Sequence, residues 1–470
     1  MNPNEHIIKN PVEAKLINAT KISGRFQGGL GFGLFNAITS AQHALVADDL
    51  GNEREIETNP LTNYNIIVLN QSLKQNSSVS IINTNVWRSG SDYDANVAAA
   101  LFDLNDKSNT WNLGGKFANS SLIGYLPGEK TQNGYSHSLY FGKTSGRFNF
   151  RLGQDLTNDK FNSNDLGYFT FNNFFDHNMW VGYRWIKPTT WYNSIFLNFN
   201  AQYLRRHKPA AYKGANFNAN VNGQLKNLWY AGFFVGFEPE YNDFYEPRNE
   251  GRVFNGWASR FIGVFFETNN AKKYSAFSEL LYVSRNLFNS KRYSIDFNQK
   301  FRFSNKFSLS HGLELEPQTD NVGFAAFSGN DIIFGRRNRN TIENTLALKY
   351  NFNDKMGINT RIRHYWSKVD YKEFFTLLLN GDLEKNNVFN ENVNQNVNFF
   401  NIDMTYTWQF APGSFINFVW KNAAFTYADF VEKNYFKNFS NTIDSDQNNN
   451  LSLKVIYFLD YLQLKKKKKS

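Results

Sequence analysis

Apolar and polar residues alternate with a period of two along most of this chain. In "ANFNANVNGQL", residues 215–225, apolar or small residues occupy the odd positions, and Asn or Gln occupies every even position. Successive side chains of a β-strand point to opposite faces, so the alternation predicts an extended strand with one apolar and one polar face. Similar segments begin at Phe148, Tyr293 and Phe400. The pattern therefore predicts an all-β protein.

The alternating segments are about 10–14 residues long, and about 20–22 of them follow one another between residues 13 and 462. Soluble β-sandwiches use shorter strands and bury their apolar faces against each other. Transmembrane β-barrels use longer strands, with apolar residues toward lipid and polar residues toward the lumen. We therefore predict a large antiparallel transmembrane β-barrel over residues 13–462, preceded by an N-terminal segment, 1–12, and followed by a basic tail, 463–470.

The connections between the predicted strands alternate in length, as in outer-membrane barrels with long extracellular loops and short periplasmic turns. Short turns are expected at 411–413, 351–354 and 304–306. Long connections are expected at 425–448, 368–395, 318–338, 241–255, 157–174 and 41–60. The strand at 13–24 then has no upstream partner, whereas single-chain bacterial barrels have even strand numbers. We expect at least one further strand, and an export signal, upstream of Met1.

Composition is consistent with this prediction. Aromatic residues make up 17% of the chain although hydrophobic residues total only 41%, and mean hydropathy is −0.53. Aromatic girdles at both membrane interfaces account for such an excess. The chain has no cysteine, which excludes disulfides and thiolate metal sites. No window approaches the roughly 18 apolar residues of a membrane helix, and residues 1–15 lack the basic start and apolar stretch of a secretory signal.

The net charge of +10 includes five lysines at 465–469. A terminal lysine run is typical of a solvated tail, so we expect no nucleic-acid partner. The expected partner is the lipid bilayer of a bacterial outer membrane, together with a carbohydrate or another small solute.

A glycine cluster lies in "KISGRFQGGLGFGLFNAIT", residues 21–39. It lacks the spacing of a dinucleotide fingerprint and the Lys-Ser/Thr pair of a P-loop. Gly29, Gly31 and Gly33 alternate with bulky apolar residues. We interpret them as small residues on the lumen face of a barrel strand, where they leave room for bulkier neighbours.

The segments "INATKISGRFQGGLGFGLFNAIT" and "NPLTNYNIIVLNQSL", within residues 17–73, resemble a family of large barrel proteins of Gram-negative Bacteroidota. In that family a carbohydrate-binding family 9-like module precedes a C-terminal domain of unknown function. The resemblance implies an exported outer-membrane protein whose N-terminal module lies outside this chain, and it implies no catalytic motif.

Charged and polar residues on the predicted lumen face are the first candidate site, because a transverse field selects solutes by charge. Pairing inside a plugged barrel is the equally weighted alternative. Besides the three glycines, the candidates are Arg147, Arg151, Asn216, Asn218, Asn220, Asp296, Arg302, Arg361, Arg363 and Asp403.

A second candidate is the outer loop "FEPEYNDFYEPRNEGR", residues 237–252, where carboxylates and aromatic rings suit a sugar. A charged surface loop is the alternative that we favour. The residues singled out are Glu238, Glu240, Tyr241, Asp243 and Tyr245.

Other motifs carry weaker predictions. Asp444 and Asp446 begin an EF-hand-like spacing that lacks its glycine and its final glutamate, so a plain polar loop is favoured over a calcium site. The segment 371–386 has a helical pattern, with Gly381 suited to its C-terminal end, and simple loop packing is the alternative with at least equal weight. The seven histidines form no zinc motif.

Two functions fit this sequence. The first is a pore or transporter for solutes, oligosaccharides among them. The second is a membrane anchor or platform for surface carbohydrate binding or protein assembly. We expect no catalysis and no cofactor, because no nucleophile and base set is recognisable.

Overall fold

Extended backbone accounts for 68% of the chain and helix for 3% in the computed structural model, which describes residues 2–11 and 14–459. The predicted all-β class is confirmed. The strands are antiparallel and form a large sheet. The predicted basic tail, with its lysine run, lies outside the described residues, as do residues 12–13 and 460–462. No helix in the described ranges has the length and apolar character needed to cross a membrane.

The described strands are numbered here in chain order. They are β1 (Glu5–Lys9), β2 (Leu16–Arg25), β3 (Leu30–Thr39), β4 (Gln42–Asp48), β5 (Glu53–Asn59), β6 (Thr62–Ser72), β7 (Ser78–Arg88), β8 (Asp94–Asn105), β9 (Trp111–Ile123), β10 (Thr131–Lys143), β11 (Phe148–Thr157), β12 (Phe174–Trp185), β13 (Tyr192–Arg206), β14 (Ala211–Leu225), β15 (Tyr230–Glu238), β16 (Tyr241–Asp243), β17 (Phe254–Gly256), β18 (Ser259–Glu267), β19 (Tyr274–Arg285), β20 (Lys291–Arg302), β21 (Phe307–Ser328), β22 (Asp331–Asn351), β23 (Met356–Leu377), β24 (Leu383–Asn386), β25 (Gln395–Ala411), β26 (Ser414–Ala428) and β27 (Gln447–Ile456). One α-helix, α1, spans Tyr435–Ile443, and 3-10 turns span Asn164–Leu166 and Leu287–Asn289.

The chain divides into two compact units. The first comprises Met1–Tyr183 and Phe199–Ala215, and the second comprises Arg184–Asn198 and Asn216–Ser470. In the first unit β2, β3 and β6–β12 pair in sequence order. In the second unit β14, β15, β18–β23 and β25–β27 pair in the same way, and β24 pairs with the end of β23.

Large apolar side chains are exposed on one face of these strands. Along β15 the exposed residues are Phe233, Val235 and Phe237, with 37–40% of their surface accessible, and the residues between them are half-buried. Along β27 every residue except Asn450 is exposed, and Leu451, Leu453 and Val455 lie on the side that continues the apolar residues of β26. We call this the apolar face of each unit and the opposite side the polar face.

The short turns occur where the sequence predicts them. Strands β25 and β26 are separated by two residues, and β22 and β23 by four. The expected long connections at 157–174 and 425–448 are also present, and the second contains α1.

Two predicted connections, at 318–338 and 368–395, are wrong. Residues 318–338 continue β21 and β22 to a two-residue turn, and β23 extends to Leu377. Regular alternation is lost in these stretches because consecutive residues, such as Ile332, Ile333 and Phe334, are all buried, and a short continuous apolar run does not by itself identify a strand. The expected connection at 41–60 does join two neighbouring strands of the large sheet, β3 and β6, and within it β4 and β5 join β1 in a separate three-stranded sheet.

The helix predicted over 371–386 is also wrong, since β23 and β24 occupy this range. Phe375 pairs with Phe334 and lies in a buried cluster with Phe254, Phe324, Ile332 and Leu377. Burial of these side chains outweighs local helical preference. Gly381, with a φ of +93°, lies in the turn between the two strands.

Candidate functional site

The polar face of the second unit carries a transverse row of acidic side chains. Glu279 lies opposite Asp296, Asp296 opposite Glu314, and Glu314 opposite Glu343 on four successive strands. Directly opposed residues of antiparallel strands point to the same face, and neighbouring strands are about 4.8 Å apart. Of these four, only Asp296 was singled out from the sequence. The other three were missed because the register of the strands cannot be derived from their alternation.

Basic residues lie beside this row on the same face. Arg363 is 3.7 Å from the Glu343 carboxylate, and Arg361 forms a 2.8 Å ion pair with Asp403. The Asn401 amide also donates to Asp403 at 3.2 Å. The structure thus brings four predicted candidates, Asp296, Arg361, Arg363 and Asp403, to one face of the sheet.

Arg302 lies at the end of β20 on the polar face. Its guanidinium is 3.4 Å from the Asn270 carbonyl and 3.5 Å from the Ala271 carbonyl. These carbonyls belong to the turn between β18 and β19, so Arg302 stabilises that turn.

The predicted asparagine candidates form a hydrogen-bonded ladder along β14. Asn218 donates to Asn216 at 3.0 Å, and Asn220 accepts from Asn198 at 2.8 Å. Asn216 in turn donates to the Glu238 carboxylate at 3.1 Å, and Ser259 donates to the same group at 2.6 Å. Glu238 is therefore not an outer-loop residue as predicted. It ends β15 and belongs to the polar network.

In the first unit, Arg151 stacks over the ring of Tyr140, with its guanidinium carbon 3.8 Å from the ring centroid. The Tyr140 hydroxyl donates to Asp103 at 2.9 Å. Arg147 does not lie on a strand. It is exposed in the turn between β10 and β11, because β11 begins only at Phe148.

The glycine cluster divides between a turn and a strand. Gly29 does not lie on a strand face as predicted, since it has a φ of +84° in the β2–β3 turn, a conformation that favours glycine. Gly31 and Gly33 lie in β3. A Cβ at Gly31 would lie 3.0 Å from the Arg25 guanidinium, so this glycine leaves room for a bulky neighbour.

A connection in the first unit covers part of its polar face. We call residues 158–173 the polar-face loop. Within it, Asp165 forms an ion pair with Arg88, and the backbone N–H of Asn162 donates to Ser120 at 3.0 Å. Leu166 packs against a buried cluster that includes Leu122. The sequence predicted the loop but not its position, because these contacts join residues far apart in the chain.

Residues 1–468 match the protein family described as "Domain of unknown function (DUF5916)". The chain belongs to this family. The match covers nearly the whole sequence, so both units lie within the family's domain. A search of curated proteins finds no match.

The remaining outer-loop candidates of this DUF5916 domain are part of local structure. Asp243 accepts hydrogen bonds from the backbone N–H groups of Tyr245 and Glu246, at 2.8 and 2.9 Å. Tyr241 lies in β16 against Gly256 and lines a small cavity. Glu240 and Tyr245 are exposed. Asp243 thus caps a turn, and the loop folds into a two-stranded sheet, β16–β17.

The weak calcium candidates lie at the end of α1. Asp444 follows its last turn and accepts from Ser440 at 3.3 Å, and Asp446 is exposed. Strand β27 begins at Gln447 and takes the place of the loop conformation that an EF-hand spacing needs. Across residues 2–11 and 14–459, no three acidic or histidine side chains come close enough together to hold a metal ion.

Proposed function

We propose that this DUF5916 domain is a transmembrane β-barrel of a bacterial outer membrane, and that it forms a pore or transporter for solutes. The observation that carries the proposal is the apolar face. In water, a face bearing Phe233, Val235 and Phe237 on one strand and Leu451 and Leu453 on another would be buried against a second layer. Exposure on strand after strand suits contact with lipid hydrocarbon.

Membrane insertion then requires closure of the sheet. Hydrocarbon cannot satisfy backbone N–H and C=O groups, so a spanning sheet has no open edge. Polar side chains such as Asn218, Asp296 and Arg361 would face the enclosed space. A ring of this many strands encloses more space than side chains alone fill, which supports passage of solutes.

The solute class is part of the proposal. Oligosaccharides are included because the resemblance to barrel proteins of Bacteroidota implies a carbohydrate-binding module upstream. We propose a Gram-negative, Bacteroidota source on the same ground. Catalysis has no part in this function.

The second candidate function is a membrane anchor or assembly platform that conducts nothing. The position of the polar-face loop favours it, because a segment fixed by Asp165 and Leu166 on the polar face reduces the open area. In this case the outer loops would hold a glycan or a protein partner.

Reconstitution of the purified chain into planar lipid bilayers separates the two functions. A pore gives stepwise ion conductance, and replacing a polar-face carboxylate, Glu314→Gln, lowers its preference for cations. Glu55→Gln is the matched control, because Glu55 lies in the separate three-stranded sheet and should leave selectivity unchanged. Correctly folded protein that inserts without conductance would contradict the pore and support the platform.

A further inference from the structure

A row of aromatic rings lies on the polar face of the second unit. Tyr365, Phe399 and Phe425 are directly opposed on β23, β25 and β26. Their ring centroids are 6.0 Å apart for the first pair and 4.8 Å apart for the second. Tyr427 follows Phe425 two positions later and points to the same face. We call these four residues the aromatic row.

Three rings of the aromatic row are open to solvent. Phe399 is 44% exposed, Phe425 56% and Tyr427 58%. The adjacent Phe400, which points to the other face, is only 7% exposed and packs against Phe439 of α1. The fold therefore covers one side of β25 at this level and leaves the rings on the other side accessible.

The charges beside the aromatic row determine which class of ligand it can bind. Glu343 lies directly opposite Tyr365, so the row of Glu279, Asp296, Glu314 and Glu343 continues into the aromatic rings. Like charges directly opposed across strands repel each other. Within the described residues, only Glu343 of these four has an ion-pair partner, Arg363.

Two basic residues near the aromatic row share one carboxylate. Arg361 pairs with Asp403 at 2.8 Å, and Lys421 lies opposite that same carboxylate. Glu279, Asp296 and Glu314 have no ion-pair partner among the described residues, so a positively charged occupant would meet carboxylates along this part of the row and ring faces at its end.

We propose that the aromatic row, with the carboxylates that continue it, binds linear organic oligoamines. Ammonium groups would lie over the open faces of Phe399 and Phe425, where the ring quadrupole attracts a cation. Further ammonium groups of the same molecule would contact the acidic side chains. The proposal goes beyond solute passage, since a sealed barrel with an accessible polar face would bind the same ligand.

The spacing between amines in the ligand agrees with the spacing between side chains in the row. Side chains in register on neighbouring strands repeat at about 4.8 Å across the sheet. Amines separated by three or four methylene groups repeat at about 5–6 Å, from standard bond lengths and angles. A tetra-amine laid across the strands can thus place successive charges near successive positions of the row.

The test is a calorimetric titration of the whole chain, in uncharged detergent micelles, with spermine. We expect spermine to bind more tightly than the diamine putrescine, and added salt to weaken binding. Replacing a ring by an aliphatic side chain, Phe399→Leu or Phe425→Leu, should weaken binding roughly fivefold each. Phe418→Leu, on the apolar face of β26, is the matched control and should leave affinity unchanged.

Circular dichroism of each variant checks that the sheet is intact. Unchanged spermine affinity in folded Phe399→Leu and Phe425→Leu would overturn the proposal. The proposal would also be overturned if the wild-type chain bound neutral maltohexaose but not spermine, and if Phe399→Leu and Phe425→Leu lost the maltohexaose binding. That result would identify a sugar site instead. The titration measures binding and requires no ion conduction. A negative titration therefore contradicts the oligoamine site alone, whereas absence of conductance contradicts the pore alone.

Discussion

Gly134 shows how one missing side chain positions the polar-face loop. A Cβ at this position of β10 would lie 2.2 Å from the backbone N and Cα of Phe161. The loop backbone therefore passes directly against the strand. Gly33 differs, because a Cβ there would meet only Val68, at an ordinary 3.8 Å.

The substitution Gly134→Ala should displace the polar-face loop. Backbone cannot move aside as a flexible side chain can, so we expect the loop to detach at a cost of about 1–3 kcal/mol. Hydrogen exchange of residues 158–163 measures this as faster exchange. Gly33→Ala is the matched control and should leave exchange in the loop unchanged. Equal exchange in Gly134→Ala and wild type would mean that the loop does not rest on β10.

At the scale of elements, α1 is fixed to the sheet by polar contacts. Asn438, buried at 2% exposure, donates to Asn398 at 2.5 Å and accepts from Asn396 at 2.9 Å. The Tyr435 hydroxyl accepts from Asn344 at 2.9 Å and lies 3.0 Å from His364. Buried polar groups that lose a partner cost stability, so these contacts specify the position of the helix.

Glu432 gives the start of α1 a pH dependence. Hydrogen bonds from the backbone of Asn434, the Lys437 ammonium and the backbone of Lys433 lower the pKa of this carboxyl from 4.5 to about 2. A lowered pKa means that the ionised group stabilises the folded helix above pH 4.5 and that this contribution is lost as pH falls toward 2. Hydrogen exchange of 435–443 should therefore be faster in Glu432→Gln than in wild type at pH 6, with the difference vanishing near pH 2.

Glu391→Gln, an exposed carboxylate in the connection before β25, is the control and should match wild type throughout. A difference between Glu432→Gln and wild type that persists at pH 2 would show that the Glu432 charge is not its cause.

Elements differed in how well the sequence predicted them. Strands such as β14 and β15 were predictable because alternation gives both the strand and its faces. The parts of β21, β22 and β23 that lie around residues 318–338 and 368–377 were not predictable, because their pairing and the buried cluster around Phe334 involve residues far apart in the chain. The helix α1 was missed because its nine residues depend on contacts with β25 rather than on helix propensity alone.

For the candidate site, the sequence predicted which face of a strand each residue occupies, but it did not predict the register between neighbouring strands. Alternation correctly grouped Arg361, Arg363 and Asp403 on one face of the sheet. It could not show that Glu279, Asp296, Glu314 and Glu343 form one row, because register depends on turns and bulges between strands. The contacts of Glu238 with Asn216 and Ser259 could not be predicted from the sequence for the same reason.

At the scale of the whole molecule, both units follow one rule. Apart from the aromatic row on the polar face, exposed apolar side chains recur on the apolar face, as at Trp87 and Ile123 in the first unit and at Phe233 and Leu453 in the second. Repetition of the same exposure in both units is what supports membrane insertion, because a single exposed patch would indicate only a local contact.

The most direct test of lipid contact is a cysteine scan of residues 231–237 in β15, which is unambiguous because the chain has no native cysteine. Each variant is labelled with a fluorophore in liposomes and exposed to a quencher attached to the lipid acyl chains. We predict strong quenching at 231, 233, 235 and 237 and weak quenching at 232, 234 and 236. Equal quenching at all seven positions, or none, would contradict the account.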